Sequence, residues 1–355
     1  MQTCLQPIFA RQKQTKDAAM TSLPDGKILV TGADGFIGSH LVEQLLAQGH
    51  SVRGFVQYNP FGHNGWLDTK VSNTAGKLEV HMGDIRDRAN VQAAARDCSA
   101  ILHLAALIGI PYSYQAPESY IDTNVKGTLN ILEVARNLGV ERILVTSTSE
   151  VYGSAQFVPI TEDHPIVPQS PYAASKAAAD HLALSYHLSF GMPVTVVRPF
   201  NTYGPRQSMR AVIPTVITQL TRGDAKIQLG ALSPTRDFTF VGDTAAGIAK
   251  IGASDKAIGH VTNIGSSFEI SVGEVVALIA EVMDKKVEIL QDPQRFRPKA
   301  SEVSRLFASI EKAREHFGWS PEHGGLEGFK RGIEKTVEWF ADPANLARYP
   351  QGYQV

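Results

Sequence analysis

One stretch near the N-terminus narrows the possible folds more than any other. Lys27-Ile28-Leu29-Val30-Thr31 is apolar and β-prone, and it runs directly into Gly32-Ala33-Asp34-Gly35-Phe36-Ile37-Gly38. Leu41, Val42, Leu45 and Leu46 follow at helical spacing. Strand, glycine-rich turn and helix in this order form the setting that a dinucleotide-binding turn requires. Gly32 permits the tight turn, Gly35 lets the backbone approach a pyrophosphate, and Gly38 lets the helix pack on the strand. The first N–H groups of the helix are then free for phosphate oxygens. A plain strand-to-helix turn is the alternative reading.

Strands and helices alternate downstream. Residues 51–56, 78–82, 101–106, 142–145 and 194–198 read as buried strands, and helices are predicted over about Ala116–Leu138 and Ser175–Phe190. This alternation indicates an α/β chain with a parallel, doubly wound sheet. In such sheets ligands bind outside the carboxyl ends of the strands, and Gly32, Asp84, Ala105, Thr148 and Asn201 all fall at such ends. The second strand ends in Gln57-Tyr58-Asn59. It offers neither an acid for a ribose 2′-hydroxyl nor an arginine for a 2′-phosphate, so NAD and NADP both remain open. Asp84 is placed to accept a hydrogen bond from an adenine amino group, or to cap the helix beginning near Arg88. His103 reads as a strand residue with a satisfied ring.

The strand at 142–145 runs into Thr146-Ser147-Thr148-Ser149-Glu150, and Tyr172 and Lys176 follow, four residues apart. On a helix that spacing puts the phenol and the amine on one face. A neighbouring ammonium stabilises a phenolate, which makes the pair a general base for an alcohol proton. Glu150 adds a second acid/base group, and Thr148 and Ser149 add hydroxyls for a sugar-like oxygen. Past residue 200, arginine-bearing loops (Arg206, Arg236, Arg297) suit a diphosphate, which a guanidinium binds bidentately. Glu302 suits a ribose hydroxyl, and Ser271 with Glu274 forms a capping box.

Composition excludes several classes. Lys plus Arg number 34 and Asp plus Glu 35, so no bulk charge favours nucleic acid or a membrane surface. The two cysteines, Cys4 and Cys98, show neither metal-ligand spacing nor a disulfide framework, which fits a reducing cytoplasm. No metal site is expected. The longest apolar run falls far short of the about 20 residues that a membrane span needs. Residues 1–24 lack an apolar core segment and read as a flexible tail outside the fold.

Taken together, Thr31-Gly32…Gly35…Gly38, Gly83-Asp84, His103-Leu104-Ala105-Ala106, Tyr172…Lys176 and Arg198-Pro199-Phe200-Asn201 resemble the extended short-chain dehydrogenase/reductase family, across residues 26–340. Thr148-Ser149-Glu150-Val151-Tyr152-Gly153 is similar to sugar-nucleotide 4,6-dehydratases and equally to UDP-glucuronate decarboxylases. The stretches 105–114, 168–172 and 199–207, and Arg297-Pro298 with Ser301-Glu302-Val303, resemble legionaminic-acid-type NDP-N-acetylglucosamine 4,6-dehydratases.

The resemblance implies a Rossmann-type domain over residues 25–200 and a smaller, mixed α/β substrate lobe over 201–345, with some exchange of chain between them. It implies a tightly held NAD or NADP, a nucleotide-diphosphate sugar, and a homodimer pairing the two long helices. Cofactor contacts are implied at Gly32, Gly35, Phe36, Ile37, Gly38, Asp84, Ile85, Leu104, Ala105, Ala106, Asn124, Tyr172, Lys176 and Pro199. Substrate contacts are implied at Asn201, Arg206, Arg236, Arg297 and Glu302. Thr148, Ser149, Glu150, Tyr172 and Lys176 would carry a 4,6-dehydration, with Tyr172 held as phenolate by Lys176. A UDP-glucuronate decarboxylase is the alternative, and a C4 epimerase, which has no use for Glu150, stands further off.

Overall fold

The computed structural model describes residues 22–68, 76–223, 226–292, 295 and 298–349. The N-terminal half alternates as expected: β1 Lys27–Thr31, α1 Phe36–Ala47, β2 Ser51–Gln57, β3 Leu78–Gly83, α2 Arg88–Ala95 and β4 Cys98–His103. Short helices α3 Ile110–Gln115 and α4 Pro117–Tyr120 precede α5 Gly127–Leu138, β5 Arg142–Thr146, α6 Pro171–Phe190 and β6 Val194–Pro199. Then come β7 Asn201–Tyr203, α7 Val212–Thr221, β8 Lys226–Leu229, β9 Thr235–Phe240, α8 Val241–Gly252 and β10 Val261–Ile264.

Seven parallel strands lie in the order β10-β6-β5-β4-β1-β2-β3. The order reverses direction between β1 and β4, which opens a crevice at their carboxyl ends. Side chains alternate across the sheet. Ile28 and Val30 join Leu41 and Ile248 in one core, and Leu29 joins Ile131 and Ala183 in the other. Each such side chain, fully buried, contributes about 2 kcal/mol. Both faces are covered, so the strands read as unbroken apolar runs.

The helix predicted over about Ala116–Leu138 runs from Pro117 to Leu138, with Ala116 as its non-helical cap (φ −132°, ψ 58°) and π-helical turns over Ile121–Lys126. The second long helix begins at Pro171, not Ser175. Ser170 caps it by accepting the Ala173 N–H, so Tyr172 sits in its first turn. Past residue 200, β10 returns to the large sheet and α8 packs against α1.

The smaller lobe pairs β9 with β7 and β11 (Glu269–Ser271), and β8 with β12 (Glu288–Gln291). Further on, β13 (Arg305–Leu306) joins β9, and α10 (Glu311–Phe317) packs on β10. The lobe packs α7, α9 (Val272–Val282) and α11 (Gly325–Ala341) over an aromatic core of Tyr203, Phe238, Phe240 and Phe329. The capping box at Ser271 and Glu274 is present. Arg236, expected in a loop, lies in β9. No helix among the described residues is long and apolar enough to cross a membrane.

Candidate active site

The glycine turn is a cradle that side chains would fill. Gly32 has φ +66°, and a Cβ there would come within 2.9 Å of the Ala105 nitrogen. At Gly38 a Cβ would lie 2.1 Å from the Gly32 oxygen. Gly35 begins α1 with no side-chain cap, which leaves the N–H groups of the first turn, at Phe36 and Ile37, open to an anion. Thr31 draws the opposite wall in: its hydroxyl accepts the N–H groups of Leu104 and Ala105, both at 3.1 Å. Residues 104–106 thereby leave the strand and line the crevice beside Gly32. A pyrophosphate-bearing dinucleotide fits this geometry.

His103 behaves as expected. Its ring bonds Thr31 Oγ1 (2.8 Å) and Thr128 Oγ1 (3.2 Å), and burial brings its pKa down to about 3, which keeps it neutral. Asp84 does not cap α2. Asp87 does, accepting the N–H groups of Ala89 and Asn90, while Asp84 holds Arg86 in a forked ion pair at 2.6 Å. Gln57, Met82, Asp84 and Arg86 line a cavity of about 380 Å³ at the ends of β2 and β3. Ile85 packs against Gly127, and its carbonyl accepts a bond from Asn130 Nδ2 at 3.0 Å. Asn124, carried inward by the π-helical turns, takes the Leu107 N–H at 2.8 Å and donates to Ser175 Oγ at 2.9 Å. It therefore fastens the crevice wall to α6.

The reacting groups converge where β5 ends. Thr148, Ser149, Glu150, Tyr172 and Lys176 are all buried. Thr148 starts a short 3₁₀ turn over Ser149–Tyr152, its hydroxyl accepting the Glu150 N–H at 3.2 Å. The same hydroxyl bonds the Tyr172 phenol, and the Glu150 carboxylate is close enough to act on that phenol electrostatically. Among the described residues no cation pairs with Glu150. Lys176 donates to the Thr146 carbonyl at 2.7 Å.

Burial acts on both members of the Tyr172–Lys176 pair. Burial, reinforced by the Glu150 charge, holds the Tyr172 phenol well above its ordinary range despite the Thr148 hydrogen bond. Burial also brings Lys176 down to about 8, with the Asp180 charge opposing that shift.

Beneath these groups lies a network that the sequence reading missed. Asp180, one helical turn past Lys176, is fully buried and accepts from Ser147 Oγ (2.7 Å) and Arg198 Nε (3.0 Å). Arg198 also donates to the Tyr152 hydroxyl at 3.0 Å, which in turn donates to Asn263 Oδ1 at 2.8 Å. The signal for Asp180 was its place at i, i+4, i+8 with Tyr172 and Lys176. Pro199 closes β6 immediately after Arg198.

The expected substrate residues divide. Asn201 opens β7 with its Oδ1 buried and unpartnered among the described residues. Arg236 and Glu302 meet each other at 3.2 Å. Tyr114 bonds Ser301 at 2.6 Å, and Ser301 Oγ donates to the Gln169 carbonyl at 2.5 Å, which ties Glu302's segment to the approach to α6. Arg206 turns away. Its guanidinium is buried against α1, on Glu43 (2.6 Å) and Ser39 (3.1 Å), so it anchors the lobe to the nucleotide domain. Arg297 lies outside the described residues.

A larger cavity of about 640 Å³, between α1, α8 and α11, contains none of these residues. There Asp243, Glu322 and His323 gather within 4.8 Å. Asp243 already accepts the His323 main-chain N–H at 2.9 Å, and Lys335 Nζ sits 3.1 Å from His323 Nε2.

Comparison with known proteins agrees with this geometry. The family described as GDP-mannose 4,6 dehydratase matches residues 29–335. A putative UDP-glucose 4-epimerase of Methanocaldococcus jannaschii is 33% identical over 318 residues, 88% of this chain and 97% of the relative. A dTDP-glucose 4,6-dehydratase of Xanthomonas campestris pv. campestris is 31% identical over 335 residues, 88% of this chain and 92% of the relative. The crystal structure of DesIV, a dTDP-glucose 4,6-dehydratase from Streptomyces venezuelae with NAD and TYD bound, superposes with a TM-score of 0.81 at 30% identity, covering 90% of this chain and 98% of that one. With the family model matched over residues 29–335 and the fold shared over nearly the whole chain, the protein belongs to the nucleotide-sugar dehydratase branch of the extended short-chain dehydrogenase/reductase family.

Proposed function

We propose that the chain is an NDP-hexose 4,6-dehydratase acting on UDP- or GDP-N-acetylglucosamine and giving a 4-keto-6-deoxy sugar nucleotide. The observation that carries this reading is Glu150, a buried carboxylate set beside Tyr172. An epimerase needs only to move a hydride at C4, whereas elimination needs a base at C5 and an acid for the departing C6 hydroxyl.

A bound nicotinamide dinucleotide, NAD or NADP, supplies a hydride acceptor and donor that is regenerated in each turnover. Gly32, Gly35, Phe36, Ile37, Gly38 and the 104–106 wall would hold it. Thr148 and Tyr172 hold the sugar O4, and Tyr172 receives its proton as C4 becomes a ketone. Lys176, with a pKa brought to about 8, stabilises the phenolate side of that transfer. The ketone acidifies C5–H. Glu150 takes that proton and passes it to the departing C6 hydroxyl, directly or through Ser149, and water leaves. C6 would then take back the hydride and C5 a proton, balanced by the one that Tyr172 received from O4. Asn201, Arg236 and Glu302 would hold the nucleotide diphosphate. The sum is loss of one water with no external oxidant.

The Methanocaldococcus relative, named as a 4-epimerase, is as similar to this chain as the dehydratases are, and it keeps C4 epimerisation as the second reading. A homodimer through α5 and α6 is part of the proposal: Leu138, Leu188 and Phe190 are exposed there, Leu188 at 83%. The test is mass spectrometry of products from a panel of UDP-, GDP-, CDP- and dTDP-hexoses. Loss of the mass of one water supports dehydration and names the donor. An unchanged mass with an inverted C4 supports the epimerase.

A further inference from the structure

We infer that Asp34, from the glycine turn, supplies the carboxylate that the end of β2 lacks, holding the adenosine ribose 2′-hydroxyl and selecting NAD over NADP. The inference deepens the cofactor reading above and rests on it.

Asp34 lies between Gly32, where the chain turns, and Gly35, where α1 opens with uncapped N–H groups. Its side chain does not stay over the turn. Oδ2 accepts the main-chain N–H of Gln57, the last residue of β2, at 3.4 Å. The carboxylate thus ends where a dinucleotide fold places its ribose acid, although it comes from a different segment. Gln57 also lines the cavity of about 380 Å³ between the ends of β2 and β3.

The loop after β2 closes on the other side of Asp34. Trp66 donates its N–H to the Asp34 carbonyl at 3.1 Å, and a Cβ on Gly65 would come within 2.9 Å of the Asp34 Cβ. Asp34 is half-buried, and its carboxylate, which accepts main-chain N–H groups at Asp34 and, at 3.4 Å, at Gln57, keeps further lone pairs for a hydroxyl donor. Burial raises its carboxyl against main-chain bonds that lower it, so a donating hydroxyl would favour the charged form.

His63 lies near enough to favour the charged carboxylate, and Arg348 is held on the Gly65 carbonyl at 2.7 Å. Among the described residues the two arginines of this edge are already engaged: Arg53 with Glu79 at 2.8 Å and Arg86 with Asp84 at 2.6 Å. A 2′-phosphate would bring a dianion against Asp34 and find both guanidinium groups bonded to acids. A 2′-hydroxyl would find an acceptor.

The test uses the full chain freed of bound nucleotide, titrated calorimetrically with ADP-ribose and with 2′-phospho-ADP-ribose. Neither probe carries the reactive ring, so binding is read apart from turnover. ADP-ribose should bind at least ~10-fold more tightly, a difference set by like-charge exclusion. Asp34→Asn, which keeps the shape, and Asp34→Ser, which opens it, should each reduce that ratio by roughly tenfold. Unchanged thermal unfolding of the variants would show the turn intact. Equal or tighter wild-type binding of 2′-phospho-ADP-ribose, or an unaltered ratio in both variants, would overturn the role of Asp34 and leave the dinucleotide reading standing. Failure of the wild type to bind either probe would overturn both.

Discussion

Replacing Lys176 with methionine should make the cofactor-free protein more stable at neutral pH while removing its turnover. Lys176 is 3% exposed, and burial brings its pKa from 10.5 to about 8. Each tenfold loss of proton affinity corresponds to about 1.4 kcal/mol, so the charged amine costs the folded state about 3 kcal/mol. Methionine has similar length and no charge. It forgoes the 2.7 Å bond to the Thr146 carbonyl, worth about 1 kcal/mol, so the net gain at pH 7 is about 2 kcal/mol. Asp180 is not stranded, because Arg198 remains on it at 3.0 Å.

The pH dependence is the sharper signature. Between pH 8 and 10.5 the folded protein binds the Lys176 proton less tightly than the unfolded chain does. Wild-type stability therefore rises with pH across that window, and the methionine variant lacks the rise. Urea unfolding of both proteins at intervals from pH 7 to 10.5 measures the difference, and groups common to both largely cancel. The wild type should gain about 3 kcal/mol on the variant across the window. Parallel curves, or a variant less stable than wild type at pH 7, would refute the reasoning.

Tyr172→Phe should lower turnover by ~10²–10⁴-fold and leave substrate affinity nearly unchanged, read from steady-state rates beside calorimetric binding. Gly38→Ala puts a methyl 2.1 Å from the Gly32 oxygen. It should cost about 2–4 kcal/mol in urea unfolding and abolish dinucleotide binding, since α1 must move off the turn. Incubation with UDP-glucuronate should give no pentose product, because decarboxylation needs a cation facing the C6 carboxylate; a pentose would install the decarboxylase instead.

The large sheet was legible because its strands are buried on both faces and read as apolar runs, as in Lys27–Thr31 and Arg142–Thr146. Spacing alone brought Tyr172 and Lys176 together, since both ride one helix. The return of Val261–Ile264 to the sheet was not legible, because four residues carry little pattern. Neither were the π-helical turns at Ile121–Lys126, which set the face that Asn124 presents. Arg206 misled because its partner Glu43 lies in α1, far away in the chain. Asp180 was not singled out, because Ser147 and Arg198, which close over it, lie in other segments. Asp34 was hidden because the turn and the end of β2 become neighbours only in the folded sheet.

The coupling of oxidation to elimination through Glu150 is tested most directly by mixing Glu150→Gln with the accepted sugar nucleotide and following both reduced-nicotinamide absorbance and product mass. With the C5 base gone and Tyr172 intact, reduced cofactor should accumulate and no water should leave the sugar. Dehydration at the wild-type rate in that variant would contradict the account.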